Sequence, residues 1–224
     1  MELEIRMKLE SPVLLASDED RGAVLDADLV FDSNGVPYVP GRRLKGLLRE
    51  RALEVVEMLN QCQLSLCDHA DLVAVFGQGG AETPAPFVFN NLYLMGYQHW
   101  GPWIAWALQE FPRVVNVDRV IATFTHLRSQ TSINERGVAN PNSLRVFRVM
   151  NKGFTFIGTI TCTKRHARSK LLLALACANL RRVGMGRTRG LGEVTCDLLE
   201  NGQSLIRPAL KVLKEGQFDG SSSF

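Results

Sequence analysis

The N-terminal segment limits the possible folds most strongly. Its apolar residues alternate with charged ones, at Leu3, Ile5, Met7 and Leu9. An apolar period of two predicts a β-strand with one buried face. The turn at 151–153 (Asn-Lys-Gly) predicts a hairpin between the strands on either side of it. Further strands are predicted over 28–31, 87–94, 144–149, 154–162 and 194–199, and the β-branched segment 114–125 is predicted to be extended.

Two helices are predicted between these strands. The first begins near Gly41, and its buried face consists of residues at helical spacing, namely Leu44, Leu47, Leu48, Val55 and Leu59. The second extends from about Ala167 to Arg182. Residues 60–86 are predicted to be irregular, and the amphipathic segment 100–111 is predicted to bury Trp100 and Trp103 on a helix face. This order is compatible with an α+β fold, namely a ferredoxin-like (RRM-like) βαββαβ domain with insertions.

The composition is that of an ordinary globular protein. Of the 224 residues, 46% are hydrophobic and 22% are charged, which disfavours disorder and coiled coils. We expect one domain over residues 1–216 and a disordered tail over 217–224. No segment approaches the ~20 apolar residues that span a bilayer, and the N-terminus lacks the apolar core of a secretory signal. A cytoplasmic location with no membrane partner is therefore expected.

Charge is distributed unevenly along the chain, although the formal net charge is only +3. Residues 18–32 hold six acidic residues and one arginine. Residues 42–51 hold five basic residues and one acidic residue, and residues 181–189 hold four arginines and no acidic residue. The nearly neutral total therefore conceals two basic segments and one acidic loop.

The glycine-rich segment 184–192 (GMGRTRGLG), called the glycine loop below, is the first candidate phosphate site. It lacks the Gly-Lys-Ser/Thr of a Walker A loop, and it leads from a helix into a strand, unlike a dinucleotide-binding turn. Glycines allow a backbone to approach a phosphate chain closely, and Arg187 and Arg189 supply forked donors to phosphate oxygens. We therefore predict phosphate contact here. The alternative is a helix C-terminal cap with solvated arginines.

The start of the first helix is the second candidate. Its unpaired N–H groups and positive dipole end favour an anion, whereas Arg42, Arg43 and Lys45 in the first turn oppose that dipole. A bound anion would offset this cost, so the pattern favours an anionic ligand. The alternative is a solvated basic face.

These motifs resemble the RAMP superfamily of CRISPR-associated proteins. The pattern Pro-Gly-x-x-Leu-Lys-Gly-x-Leu-Arg occupies residues 40–49, and Gly-x-Gly-Arg-x-Arg-Gly-x-Gly occupies the glycine loop. The matches extend over residues 12–199. The segments that are similar to backbone-forming subunits of type III effector complexes are 25–32, 37–40, 130–133, 142–146 and 153–156, together with Gly137.

The resemblance implies a backbone subunit that binds guide RNA. It implies a palm that holds the guide backbone and a β-hairpin thumb, expected over about 125–144, that interrupts the guide–target duplex. The implied partners are CRISPR guide RNA, single-stranded target RNA, other RAMP backbone subunits, and the large and small subunits of the complex. The residues expected to contact RNA are Arg42, Arg43, Lys45, Arg49, Arg128, Arg136, Arg145, Gly184, Gly186, Arg187 and Arg189.

An aspartate before the second strand is implied to promote metal-dependent cleavage of the target RNA, and by position it is Asp26. A carboxylate with an ordinary pKa of ~3.9 is a weak base at neutral pH, so we expect Asp26 to bind Mg²⁺ or another divalent cation. Asp28 is the expected second ligand, because residues two apart on a strand share a face. Asp18, Asp20 and Asp32 are nearby alternatives, and all of these acids also fit solvated loop positions.

Two other functions remain open. One is a non-catalytic subunit that caps the 5′ tag of the guide RNA. The other is a guide-RNA-processing endonuclease that uses His126, since imidazole titrates near neutral pH. In the thumb, Ile133 or Val138 is a candidate wedge between stacked bases.

Overall fold

The computed structural model describes residues 2–16, 27–78, 86–162 and 167–216. The disorder predicted for the tail 217–224 therefore concerns residues outside this description. The helices and strands follow one another as β1 (Glu2–Leu9), α1 (Gly41–Gln61), α2 (His69–Phe76), β2 (Phe87–Phe89), β3 (Tyr93–Leu94), α3 (Tyr97–Glu110), α4 (Val117–Phe124), β4 (Thr125–Gln130), β5 (Arg145–Met150), β6 (Thr155–Cys162), α5 (Ala167–Asn179), β7 (Val194–Glu200), β8 (Gln203–Ser204) and α6 (Ile206–Glu215).

The main sheet is antiparallel, with β1 at its centre. Its strand order is β2-β6-β1-β7-β8, and β3 also pairs with β6. Within β1, Ile5 lies opposite Gly158 of β6 and Leu198 of β7. The apolar residues of β1 are fully buried, whereas Arg6 and Lys8 are exposed. The predicted strand with one buried face is thus confirmed.

Helices pack against the buried face of this sheet. α5 contacts α1, α2, α6 and β7, and its residues from Ser169 to Cys177 are all buried. Leu44 and Leu48 of α1 belong to the same core as the apolar residues of β1. Burial of each such side chain stabilises the fold by about 1.5–3 kcal/mol. The predicted α+β class is confirmed.

The second sheet is a hairpin of β4 and β5, with a register from Thr125 opposite Met150 to Gln130 opposite Arg145. The predicted hairpin of 144–149 with 154–162 is wrong, because β5 pairs with β4 and β6 pairs with β1. The turn at 151–153 instead connects the two sheets, where Gly153 N–H donates to the Leu9 carbonyl at 2.7 Å. The hairpin therefore extends beyond residue 144, the expected end of the thumb.

Three helices differ from the predictions. The segment 114–125 contains α4 instead of an extended chain, because the Asn116 side chain accepts a hydrogen bond from Arg119 N–H at 2.9 Å and caps the helix. Within 60–86, a capping box formed by Asp68 and Asp71 begins α2. The sequence patterns above do not include α6, which ends at Gly216 in the left-handed conformation.

Two short strands also differ from the predictions. The described residues 28–31 form no strand; Phe31 makes only an isolated bridge to Pro37. The strand expected over 87–94 is divided into β2 and β3. Between them, the Asn91 carbonyl oxygen lies 2.6 Å from where a Cβ of Gly158 would stand, so the backbone departs from regular pairing there.

Candidate nucleic-acid interface

The segment 11–16 joins the glycine loop, the β4–β5 hairpin and the start of α1, which are far apart in the sequence. The Leu14 carbonyl accepts from Met185 N–H of the glycine loop at 2.9 Å. Val13 N–H donates to the Met150 carbonyl of β5 at 3.1 Å. The Ala16 carbonyl accepts a hydrogen bond from the Arg43 guanidinium of α1. The glycine loop, the hairpin and the start of α1 are therefore held side by side.

Two glycines of the loop are required by the protein's own backbone. Gly184 has φ +74°, and a Cβ there would stand 2.1 Å from the Leu14 carbonyl oxygen. Gly192 has φ +84°, and a Cβ there would stand 2.2 Å from the Val183 carbonyl oxygen. By contrast, Gly190 has φ +75° and no atom within 4 Å of its would-be Cβ. Close packing thus explains part of the loop's glycine content.

The arginines of the loop form a network with the hairpin and α1. Arg189 donates to the Gln130 side chain at 3.0 Å, and Arg128 donates to the Arg189 carbonyl at 3.2 Å. Arg187 lies 3.9 Å from the Glu50 carboxylate of α1. These contacts orient the guanidinium groups while leaving the loop arginines exposed.

A cleft of about 500 Å³ lies between the glycine loop and the hairpin. Arg145 is beside it, because this residue lies opposite Gln130 in the hairpin register. Arg187 and Arg189 line the cleft directly. It is lined by Leu14, Gln130, Phe147, Gly184, Met185, Gly186, Arg187, Thr188, Arg189 and Leu191.

The start of α1 follows an N-cap, Pro40, that has no side-chain hydrogen bond to the helix. Gly41 is required here, because a Cβ would stand 2.0 Å from the Phe89 carbonyl oxygen. Gly46 differs, since a Cβ there would meet no atom within 4 Å. A glycine inside a helix costs about 0.5–1 kcal/mol relative to alanine, and packing does not require this one. Arg42 and Arg49 are exposed on the same helix.

The loop that connects β4 and β5, residues 131–144, forms an exposed tip. The Asn134 side chain accepts from Arg136 N–H and Val138 N–H, each at 3.0 Å, and fixes the turn. Ile133 and Val138 are 65% and 60% exposed. The structure therefore places both candidate wedge residues, together with Arg136, at the end of the hairpin.

Asp26, the expected catalytic residue, lies outside the described residues. Asp28 is described, and its Oδ1 accepts from Arg148 Nε at 3.1 Å and from Leu29 N–H at 2.7 Å. Among the described residues, no group of three or more His, Cys, Asp or Glu side chains is placed to hold a metal ion. The metal role of Asp26 and Asp28 therefore stays a prediction.

Asp32, another of the acidic alternatives, has structural contacts. Its Oδ1 accepts from Asn34 N–H at 2.9 Å and Val36 N–H at 2.8 Å, and it also binds the Tyr97 hydroxyl. Burial, followed by the hydrogen bond to Asp32, raises the pKa of Tyr97 to about 12. Helix α3 thereby stabilises the turn that precedes α1.

A row of aromatic side chains begins at Tyr97, which binds Asp32. Tyr97 stacks on Tyr93 at 5.4 Å and meets Trp100 edge-on at 5.1 Å. Trp100 is half-buried, but Trp103 is 63% exposed. The predicted burial is therefore wrong for Trp103, which makes none of the ring contacts of this row.

Sequence reasoning missed three contributors to this interface. Gln130 and Glu50 orient the loop arginines, and Arg148 pairs with Asp28. The alternating pattern of β5 places Arg148 on a strand, but its partner is 120 residues away. Only the pairing of distant segments identifies such contacts.

The comparisons with known proteins identify the family. The model of the RAMP superfamily matches residues 6–195. The chain belongs to the RAMP superfamily. The predicted resemblance is confirmed, and no curated protein matches the chain.

Two solved structures show the same fold as this RAMP protein. A chain of the type III-B Cmr-beta complex in the apo state has a TM-score of 0.61 at 11% identity, and the match covers 91% of this chain and 99% of that one. A chain of type III-B Cmr-beta bound to cognate target RNA has a TM-score of 0.63 at 11% identity, with 93% and 98% covered. Within the described part of this RAMP protein, no helix is long and apolar enough to cross a membrane.

Proposed function

We propose that this RAMP protein is a backbone subunit of a type III CRISPR effector complex and holds the guide RNA in the cleft between the glycine loop and the hairpin. The observation that carries the proposal is the junction at segment 11–16, which holds the glycine loop, the hairpin and the α1 start side by side. Arginines and exposed backbone N–H groups bind phosphates without reading sequence. Base pairing with the guide would then supply target specificity.

The strand order supports a ferredoxin-like palm. The four strands β2, β6, β1 and β7 are neighbours in that order, and α1 and α5 connect β1 to β2 and β6 to β7. This is the order of elements in a βαββαβ unit. The hairpin of β4 and β5 is inserted before β6 and corresponds to the proposed thumb.

The proposal extends to cleavage of the guide-paired target RNA by Asp26, with Mg²⁺ or another divalent cation as cofactor. Its structural support is that Ala27, the next residue, bonds through its carbonyl to Arg148 N–H of β5 at 3.3 Å. The chain immediately after Asp26 is thus attached to the hairpin. If the target RNA is cut by attack of its own 2′-hydroxyl on the adjacent phosphate, the negative charge that develops on that phosphate would have to be stabilised near Asp26.

The first experiment tests guide binding. The full chain is expressed together with its complex partners and a CRISPR array, and the RNA that co-purifies is sequenced. We expect guide RNA of uniform length that carries one common 5′ tag. RNA of random length and sequence would contradict the proposal.

The second experiment tests cleavage. The complex is assembled with a guide and a matched labelled target, with and without Mg²⁺. We expect Asp26→Asn to abolish cutting in the presence of Mg²⁺, whereas the neighbouring Asp20→Asn cuts normally. Normal cutting by Asp26→Asn would refute the catalytic assignment. If the wild-type complex binds target but never cuts, the result favours the 5′-tag-capping function.

One observation favours the processing endonuclease as a second candidate. His126 Nδ1 lies 2.6 Å from the Asn151 side-chain oxygen, a contact that would fix the ring and leave Nε2 available as a base. Loss of precursor-guide cleavage in His126→Ala would support this candidate. Unchanged processing in that variant would exclude it.

A further inference from the structure

An apolar groove lies on the helical side of the molecule, between α1, α5 and α6. Its volume is about 450 Å³. Two of its apolar residues are well exposed, Met58 at 49% and Leu210 at 41%. Its lining also includes Cys62 at the end of α1, Leu64, and Leu213 of α6.

Basic residues border this groove. Arg181 lines it directly, and the exposed Arg207 and Lys214 lie three residues before and four residues after Leu210 on α6. Residues at these spacings share one side of a helix. In the described part of the chain, none of these three cations forms an ion pair with a carboxylate.

We propose that this groove binds an acidic amphipathic helix of a partner protein. The apolar floor between three helices matches a helix that inserts residues at i, i+3, i+4 and i+7. The basic border complements acidic residues that flank such an apolar stripe. An RNA ligand fits less well, because an apolar floor offers nothing to phosphates. This surface is separate from the guide-binding cleft, so the inference does not depend on the proposed function.

Binding can be tested with the purified full chain and a synthetic helix. The probe is a labelled peptide of about 16 residues with leucines at i, i+3, i+4 and i+7 and glutamates on both flanks. Fluorescence anisotropy gives its affinity. We expect Met58→Glu and Leu210→Glu to weaken binding at least about tenfold, and Lys214→Glu to weaken it about threefold with a smaller salt dependence.

Two controls define specificity. Leu53→Glu changes an exposed leucine of α1 that is not among the groove-lining residues, and we expect less than about a twofold change. The same peptide with lysines in place of glutamates should bind at least about tenfold more weakly. Equal affinity for both peptides, or unchanged affinity in Met58→Glu, would overturn the proposal.

Cys62 provides a second measurement that needs no substitution. It lines the groove and is exposed, whereas the other four cysteines are buried. The peptide should therefore slow alkylation of Cys62 at least about fivefold at saturation. Deletion of residues 217–224 provides the opposing test. If it accelerates alkylation of Cys62 about fivefold in the absence of peptide, the chain's own tail occupies the groove and the proposal fails.

Discussion

The glycine loop and the start of α1 are both rich in glycine and arginine, and each region holds a glycine that packing requires and one that it does not. At the α1 start, a Cβ of Gly41 would collide with a carbonyl oxygen, as in the loop. In the loop, Gly184 and Gly192 have positive φ angles, and a Cβ at either would collide with a carbonyl oxygen of the protein. In α1, Gly46 lies inside a helix with open space where its Cβ would be. The first kind of glycine shapes the interface. The second leaves space that a ligand backbone can enter.

This difference predicts the largest effect for Gly184→Ala. The left-handed φ of +74° costs alanine about 1–2 kcal/mol, and the collision with the Leu14 carbonyl raises the total to at least about 3 kcal/mol. Urea unfolding measures the loss. Gly190→Ala is the matched control, because its φ is similar but its surroundings are open; it should lose only about 1 kcal/mol. Equal losses would show that packing does not distinguish the two positions.

The next effect concerns charge. Reversal of Arg187 and Arg189 to Glu should weaken guide RNA binding about thirtyfold, because the two proposed phosphate contacts would be lost, and should flatten the salt dependence. Anisotropy titrations at several salt concentrations measure both. The control is Arg6→Glu with Lys8→Glu on the exposed face of β1, which changes the net charge equally. Similar losses in both variants would mean that only the net charge matters.

Gly46→Ala should have opposite effects on stability and binding. Alanine should stabilise α1 by about 0.5–1 kcal/mol, while its methyl group would obstruct close approach of the RNA and weaken binding about threefold. Urea unfolding and RNA titration measure the two effects. Glu57→Ala, at another exposed position of α1, should leave binding unchanged apart from a small charge effect. Unchanged RNA affinity in Gly46→Ala would remove the distinction between the two kinds of glycine.

The smallest effect concerns the turn before α1. Because the pKa of Tyr97 is raised to about 12, the fold favours its neutral hydroxyl. That contribution is fully present below the ordinary tyrosine pKa of ~10 and is lost as the pH rises through about 12. The difference in unfolding free energy between wild type and Tyr97→Phe should therefore shrink between these pH values. A difference that stays constant over this pH range would show that the neutral Tyr97 hydroxyl does not stabilise the turn.

The accuracy of the sequence predictions depended on the range of the interactions involved. The strand of Leu3, Ile5, Met7 and Leu9 and the helix of Leu44 and Leu48 were predicted from periodicity, because one-sided burial leaves a local pattern. The extended state predicted for 114–125 was wrong, since the Asn116 cap outweighed β-branched propensity. The hairpin partner of β5 was also wrong, because a local turn signal does not determine which strands pair.

The sequence by itself determined the α+β class, the two basic segments and the RAMP resemblance, because periodicity, local charge and spaced motifs are properties of the chain order. Only the tertiary structure showed that segment 11–16 joins the glycine loop, the hairpin and α1. It also distinguished Gly184, which the fold requires, from Gly46, which it does not. The physical reason is that hydrogen-bond partners and steric collisions arise between residues distant in sequence, which local patterns do not encode.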